Sequence, residues 1–264
     1  MIIIGEKING TRKQVAKAIQ ERDETFIREL AIKQSEAGAH YLDINAGTPP
    51  DREPADMVWL IQTVHSVTNV NLCLDSTNPE ALKAGIQQLK DKPIMLNSLS
   101  GEKNRINGVL PLACEHNTEL IVLALDDKGI PNTGEERLAI IRSLVEMTRN
   151  GGLPDRNLYI DPLITTIATD TQSGPKAFDT MRKIKDEFPD VHLTAGLSNI
   201  SFGMPSRPLI NRAFAALAIA AGLDSAIINP EDKELRGMVK AVEMVLGMDK
   251  HCLNYIRAHR SGQI

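Results

Sequence analysis

Eight short apolar runs recur along this chain, starting near residues 2, 41, 72, 94, 120, 158, 193 and 225, with 22 to 39 residues between successive starts. Each interval has room for one crossover helix and its loops, which is the length a parallel pair of strands requires. Amphipathic patterns fill those intervals. Phe26, Ile27, Leu30 and Ala31 recur at helical spacing before Gly38, and Met57, Leu60, Ile61 and Val64 mark a second helical face. Asn78-Pro79 supplies a cap and a first-turn proline, and Thr133 with Glu136 forms a capping box ahead of Leu138, Ile141 and Val145. Eight strands alternating with eight helices predict an α/β fold of the TIM (β/α)8 barrel type, one domain over residues 1–264. A doubly wound open sheet would also alternate, but no G-x-G-x-x-G follows the first run.

Composition narrows the function classes. A formal net charge of -4 and dispersed Lys and Arg residues leave no basic footprint for nucleic acid. No apolar run reaches the roughly 18 residues of a membrane span, and Met1 to Glu6 is too short for a signal peptide, so a cytoplasmic location is expected. Cys73, Cys114 and Cys252 are odd in number and far apart, which suggests packed thiols and neither a disulfide framework nor a zinc cluster.

The informative residues stand where the apolar runs stop. Ile2-Ile3-Ile4 opens into a glycine-punctuated loop, Gly5-Glu6-Lys7-Ile8-Asn9-Gly10, and Tyr41 to Asn45 carries Asp43. Leu72-Cys73-Leu74 ends at Asp75, Ile94-Met95-Leu96 at Asn97, Leu158-Tyr159-Ile160 at Asp161, and the run from Leu193 breaks into Gly196-Leu197-Ser198-Asn199. In a closed parallel barrel all carboxyl ends open on one face, so Glu6, Asn9, Asp43, Asn45, Asp75, Asn97, Asp161 and Asn199 converge there. The local alternative is that each Asp or Asn is a cap or turn residue. Carboxylates accept hydrogen bonds and amides both donate and accept, so the ring suits a flat heterocycle with amino and lactam edges, such as a pterin. A divalent metal on Asp43, Asp75 and Asp161 is the competing possibility, although no histidine stands at a strand end and no metal is expected.

Gly5-Glu6-Lys7-Ile8-Asn9-Gly10, Leu42-Asp43-Ile44-Asn45, Leu74-Asp75-Ser76, Asn97-Ser98, Ile160-Asp161-Pro162 and Gly196-Leu197-Ser198-Asn199 with Arg207-Pro208-Leu209-Ile210-Asn211 together resemble the methyltetrahydrofolate:corrinoid protein methyltransferases. The likeness covers essentially the whole chain in order, and dihydropteroate synthase resembles it more distantly. The resemblance implies a TIM barrel, typically a homodimer. Its substrate is 5-methyltetrahydrofolate, whose N5-methyl group passes reversibly to the cob(I)amide of a separate corrinoid protein. It further implies that Asp75, Asn97 and Asp161 hold the pterin, with Glu6, Asn9, Asp43, Gly196 and Ser198 around it. Asn199 would hydrogen-bond N5, and Arg207, with Lys103 as a second candidate, would meet the benzoate-glutamate tail.

The corrinoid is expected on the partner protein, since no corrinoid-binding domain is present. The nearest match to D-x-H-x-x-G is Asp190-Val191-His192-Leu193-Thr194-Ala195, which ends in Ala and lies at the wrong end of a strand. His192 and His40 are therefore expected to be structural. The apolar loop Ile200 to Pro205 is expected to face the partner, either a corrinoid iron-sulfur protein or the corrinoid protein of a demethylase system. Two other functions are open at this point. One is a pterin condensation of the dihydropteroate type, which needs a cationic site for leaving pyrophosphate that strands seven and eight do not offer. The other is a non-catalytic folate or corrinoid-protein binding barrel.

Overall fold

The isoleucine-rich strand Ile2–Asn9 (β1) pairs in parallel on both sides, with Tyr41–Asn45 (β2) and with Ser225–Ile228 (β8). A computed structural model describes residues 1–89 and 92–264. Asn71–Asp75 (β3), Ile94–Gly101 (β4), Glu119–Asp126 (β5), Leu158–Asp161 (β6) and His192–Leu193 (β7) continue the sheet in the order β7-β6-β5-β4-β3-β2-β1-β8. The ring closes where Ala195 O accepts the amide of Ile227 at 3.0 Å and Gly196 bridges Ile227 in parallel. The single-layer barrel is wrapped by helices in every interval, as the spacing predicts. Additional helices lie at the two ends of the chain, Lys13–Glu21 (α1) before Glu24–Glu36 (α2), and Leu253–Arg260 (α10) after Lys233–Val245 (α9).

Side-chain alternation along the strands separates two cores. Leu42, Ile44, Leu72, Leu74, Leu96, Leu120, Val122, Leu158 and Ile160 belong to one buried cluster shared with the helices. Ile4, Tyr41, Cys73, Met95, Ile121 and Tyr159 form a separate cluster, which is the packed interior of the barrel. At roughly 1.5–3 kcal/mol for each large apolar side chain fully buried, these two cores carry the fold. Two residues further along, on the same inward side, the interior cluster is succeeded by Glu6, Asp43, Asp75, Asn97, Leu123 and Asp161. The polar ring is thus the next layer of the barrel, standing directly on an apolar one.

Three expectations need correction. Asn97 does not end its run: β4 continues to Gly101, with register shifts against β5 after Asn97. Gly5 to Asn9 is not a loop: β1 runs to Asn9, with a register shift between Gly5 and Ile8 that buries Ile8 and leaves Glu6 half-buried. Residues 193–199 are not a strand with a polar tip. The strand is only His192–Leu193, and Leu197–Ser201 turns into a 3-10 helix, so Asn199 sits on a turn and not on a strand end. At the opposite end of the barrel, His192 stacks on Tyr159 with ring centroids 4.6 Å apart and bonds Asp224 through Nδ1 at 3.1 Å. His40 accepts the Ile3 amide on Nδ1.

Candidate active site

One arc of the carboxyl rim is assembled by β1 to β4. Asn45 Nδ2 donates to Asp75 Oδ2 at 2.9 Å and Asn97 Nδ2 donates to Asp43 Oδ1 at 3.2 Å, while Asp75 and Asn97 are register partners on adjacent strands. Burial raises the Asp43 carboxyl well above the ordinary aspartate range, and the charge of Asp75 pushes it further, against the Asn97 hydrogen bond that favours the anion. Asp75 is also raised by burial, although Asn45 and the Arg105 guanidinium pull it back. The Cys73 thiol is buried, hydrogen-bonds Asp43 and is held in its protonated form by burial and by the charges of both aspartates. The pair therefore disfavours double ionisation.

The backbone leaves little freedom here. A Cβ on Gly10 would stand 1.9 Å from Ala46 O, and Gly47, at φ +59°, would put a Cβ 2.8 Å from Gly10 C. Only glycines allow the chain segments leaving β1 and β2 to touch in this way. Asn9 spends its Oδ1 on the amide and hydroxyl of Thr11, at 2.9 and 2.7 Å, which is the local turn role. Glu6 is paired with Arg12 at 3.0 Å.

The second arc joins β6 to the turn after β7. Asp161 is buried, and loss of water pushes its pKa up to about 6, opposed by the amides of Leu163 and Gly196 and by the Arg137 charge. The Leu163 amide donates to its Oδ1 at 2.7 Å. Asn199 is exposed on Leu197–Ser201, and its amide makes no hydrogen bond among the described residues. A side chain at Gly196 would crowd Asn199 Nδ2 to 3.1 Å, so Gly196 keeps that amide's space clear. Two braces fix the turn. Arg207, at the start of helix α8 (Arg207–Ala220), donates from Nη2 to Ser198 O at 2.7 Å and from Nε to Ser201 Oγ at 3.1 Å. From the other side, Thr166 Oγ1 donates to Phe202 O at 2.6 Å and the Ile167 amide to Ile200 O at 3.0 Å. The tail-binding expectation for Arg207 thus meets a guanidinium already committed in part to the turn. Lys103 is exposed at the first turn of helix α5 (Lys103–Glu115). Phe202 lies beyond the braces, 68% exposed under the Arg207 guanidinium.

Three supporting side chains went unnoticed in the sequence. Arg105 donates to Ser76 O at 2.8 Å and supplies the positive charge nearest Asp75, while the buried Glu53 accepts the Ser76 hydroxyl at 2.6 Å. Arg137, 5% exposed, donates to Pro162 O and Leu163 O, both at 2.8 Å, and shapes the loop that follows Asp161. Both arginines occupy the opening turn or so of the helix after a strand, in α5 and in Gly134–Asn150 (α6). A cation there opposes the helix dipole, and that mismatch was the available signal. Among the described residues no group of three or more His, Cys, Asp or Glu side chains is disposed to hold a metal ion.

Comparisons with known proteins agree with this geometry. Residues 5–229 match the family described as pterin binding enzyme. A methylcorrinoid:tetrahydrofolate methyltransferase of Eubacterium limosum is 41% identical over 266 aligned residues, covering 100% of this chain and 98% of the relative. A methionine synthase of Mycobacterium tuberculosis is 31% identical over 87% of the chain, which spans only 20% of that much longer protein. Among solved structures, dihydropteroate synthases share the fold: that of Yersinia pestis at TM-score 0.69 and 16% identity, over 93% of this chain and 94% of that one, and that of Xanthomonas albilineans at 0.67 and 18%, over 94% and 93%. The chain belongs to the pterin-binding enzyme family.

Proposed function

We propose that this chain is a methyltransferase that exchanges a methyl group between N5 of tetrahydrofolate and the cobalt of a corrinoid carried by a separate protein. The observation that carries the reading is the full-length likeness to a methylcorrinoid:tetrahydrofolate methyltransferase, combined with a pocket whose buried acids and amides match a pterin edge. Asp75, Asn97 and Asp161 hold the pterin, with Asp43 and Glu6 behind them and Asn9, Gly196 and Ser198 shaping the walls. Carboxylates at Asp75 and Asp161 accept from the adjacent N–H groups of the amino-pyrimidinone ring, while Asn97 donates or accepts at its edge.

In the direction of corrinoid methylation, the N5–methyl bond breaks as the cobalt–methyl bond forms. The bonding pair stays on N5, which takes up a proton, so an uncharged tertiary amine need not expel an amine anion. Asn199 assists by a hydrogen bond to N5 that tightens as charge and protonation change there, a contribution of about 3 kcal/mol if it follows other preorganised donors. The reverse exchange, from methylcorrinoid to tetrahydrofolate, uses the same contacts. The corrinoid supplies a strong cobalt nucleophile, and this chain's residues position and activate the folate.

The partner is a corrinoid protein, of the iron-sulfur type or from a demethylase system, and it docks over Phe202. A single domain over 1–264, a homodimer and a cytoplasmic location complete the proposal; among the described residues no helix is long and apolar enough to cross a membrane. The test is a single-turnover reaction of the purified chain with 5-methyltetrahydrofolate and cob(I)alamin. Disappearance of the cob(I) absorbance with stoichiometric tetrahydrofolate formation is expected. Formation of dihydropteroate from its two precursors, or folate binding without turnover, would overturn the reading.

A further inference from the structure

The amino-terminal face of the barrel, remote from the pterin pocket, carries a cavity of about 250 Å3 between the start of β1, the mouth of β2, α9 and the C-terminal segment. Its chemistry is one-sided. Arg236 is 9% exposed, its guanidinium donates to Ala37 O at 2.6 Å, and its Nε has no partner among the described residues. A buried guanidinium N–H without an acceptor is a costly arrangement unless something supplies one. Lys240, one helical turn further along α9, lines the same cavity and makes no hydrogen bond or ion pair among the described residues. His40 completes the group. Because its Nδ1 accepts the Ile3 amide at 3.1 Å, the neutral ring carries its proton on Nε2 and is a donor.

Acceptors in the neighbourhood are already engaged. Glu243 is paired with the amino group of Met1. Asp249, close enough for Lys240 to stabilise its charge, accepts the amides of Asn254 and Tyr255 at 3.0 and 2.9 Å. Burial and the positive groups around it, Lys240 among them, hold the His40 pKa below its ordinary value. Donors therefore converge on a space whose one lining carboxylate, Glu243, is turned to Met1, which is the converse of the carboxyl rim.

We propose that this cavity binds an oxyanion, the phosphate or carboxylate group of a small metabolite, held by Arg236 and Lys240 of α9 together with His40. Bound there, the anion joins α9 to the base of β2 and makes the amino face a second ligand site, separate from the pterin pocket. It does not depend on the methyl-transfer reading, and neither does its test.

The full chain is titrated calorimetrically with inorganic phosphate and, separately, with citrate, with ionic strength held constant by sodium chloride. Saturable binding of at least one of them is expected, and the tighter of the two identifies the anion class. Lys240→Met should weaken that binding about tenfold, the scale of one lost charge-assisted contact. Arg236→Lys, which keeps the charge and loses the fork, should also weaken it. The far-ultraviolet circular dichroism spectrum of both variants should equal that of the parent, which reports that they fold. Non-saturable heats for both anions, an unchanged affinity in folded Lys240→Met, or displacement of the anion by tetrahydrofolate would each overturn the proposal.

Discussion

From Asp43 to Asn97 the rim of the barrel is made of side chains projected by strands and bonded to one another, whereas from Leu197 to Arg207 it is a short turn whose one side-chain amide, that of Asn199, has no partner among the described residues. In the first arc Asp43 and Asp75 are fixed by Asn97 and Asn45, and only glycines at 10 and 47 let the backbone take this path. The second arc keeps its hydrogen-bonding capacity in reserve and exposes Phe202 beside it. Rigid strand ends suit recognition of an unchanging heterocycle, and a braced but exposed turn suits a group that must respond as charge develops and as a partner docks.

The division can be broken most sharply at Asn199. Asn199→Ala should reduce single-turnover methyl transfer by about 100- to 1000-fold, as the loss of one preorganised donor does, while the dissociation constant for 5-methyltetrahydrofolate moves only a few-fold. Stopped-flow absorbance and fluorescence titration measure the two quantities, and equal losses in both would erase the distinction between the arcs. Asp75→Ala should show the opposite pattern. It should weaken folate binding by about 10- to 100-fold, because a buried hydrogen-bonded partner is removed and Asn45 loses its acceptor.

Acid pH probes the same arc without mutation. Asp161 has its pKa raised to about 6 in the folded protein. A pterin that donates to its carboxylate must pull that proton off, so affinity should fall as pH drops through 6, approaching tenfold per unit on the acid side. Asp161→Asn should flatten that limb of the profile. Stability has the opposite sign: the folded state retains the proton longer than the unfolded chain, so Asp161 destabilises the protein progressively as pH rises from about 4 to above 6. Asp161→Asn should remove that component from denaturant midpoints measured across the range. The smallest effect is expected at the rim, where Phe202→Ser should raise the KM for a corrinoid protein by roughly 3- to 10-fold through loss of apolar contact. It should leave free cob(I)alamin turnover and folate affinity unchanged.

Most of the architecture was legible because apolar runs, helical periodicity and crossover spacing are local properties. Asp75 and Asp161 end strands as the sequence suggests, and the Thr133–Glu136 box caps its helix. The misreadings fall where tertiary pairing overrides local polarity. Glu6 and Lys7 look like loop residues, yet β2 pairs Ile44 with Ile8 and Asn45 with Asn9 and so draws β1 on to Asn9. Leu193 to Ala195 look like a long strand, yet closure is complete once Leu193 has met Asp224 and Ala195 and Gly196 have met Ile227, after which the chain is free to turn. Arg105 and Arg137 show in the sequence only as cations in the opening turn of a helix, because what they brace becomes adjacent only in three dimensions.

Buried Leu197, Ile200 and Ser201 anchor the turn in the barrel together with bonds from Thr166, Ile167 and Arg207, whereas the side chains from Phe202 to Ser206 lie largely outside that anchor. That makes residues 202–206 a transplantable cassette. Exchanging residues 202–206 between family members, with Asn199 and Arg207 kept, should redirect which corrinoid protein is served while the folate half of the reaction stays intact, so acceptor choice and donor chemistry can diverge at different rates within one barrel.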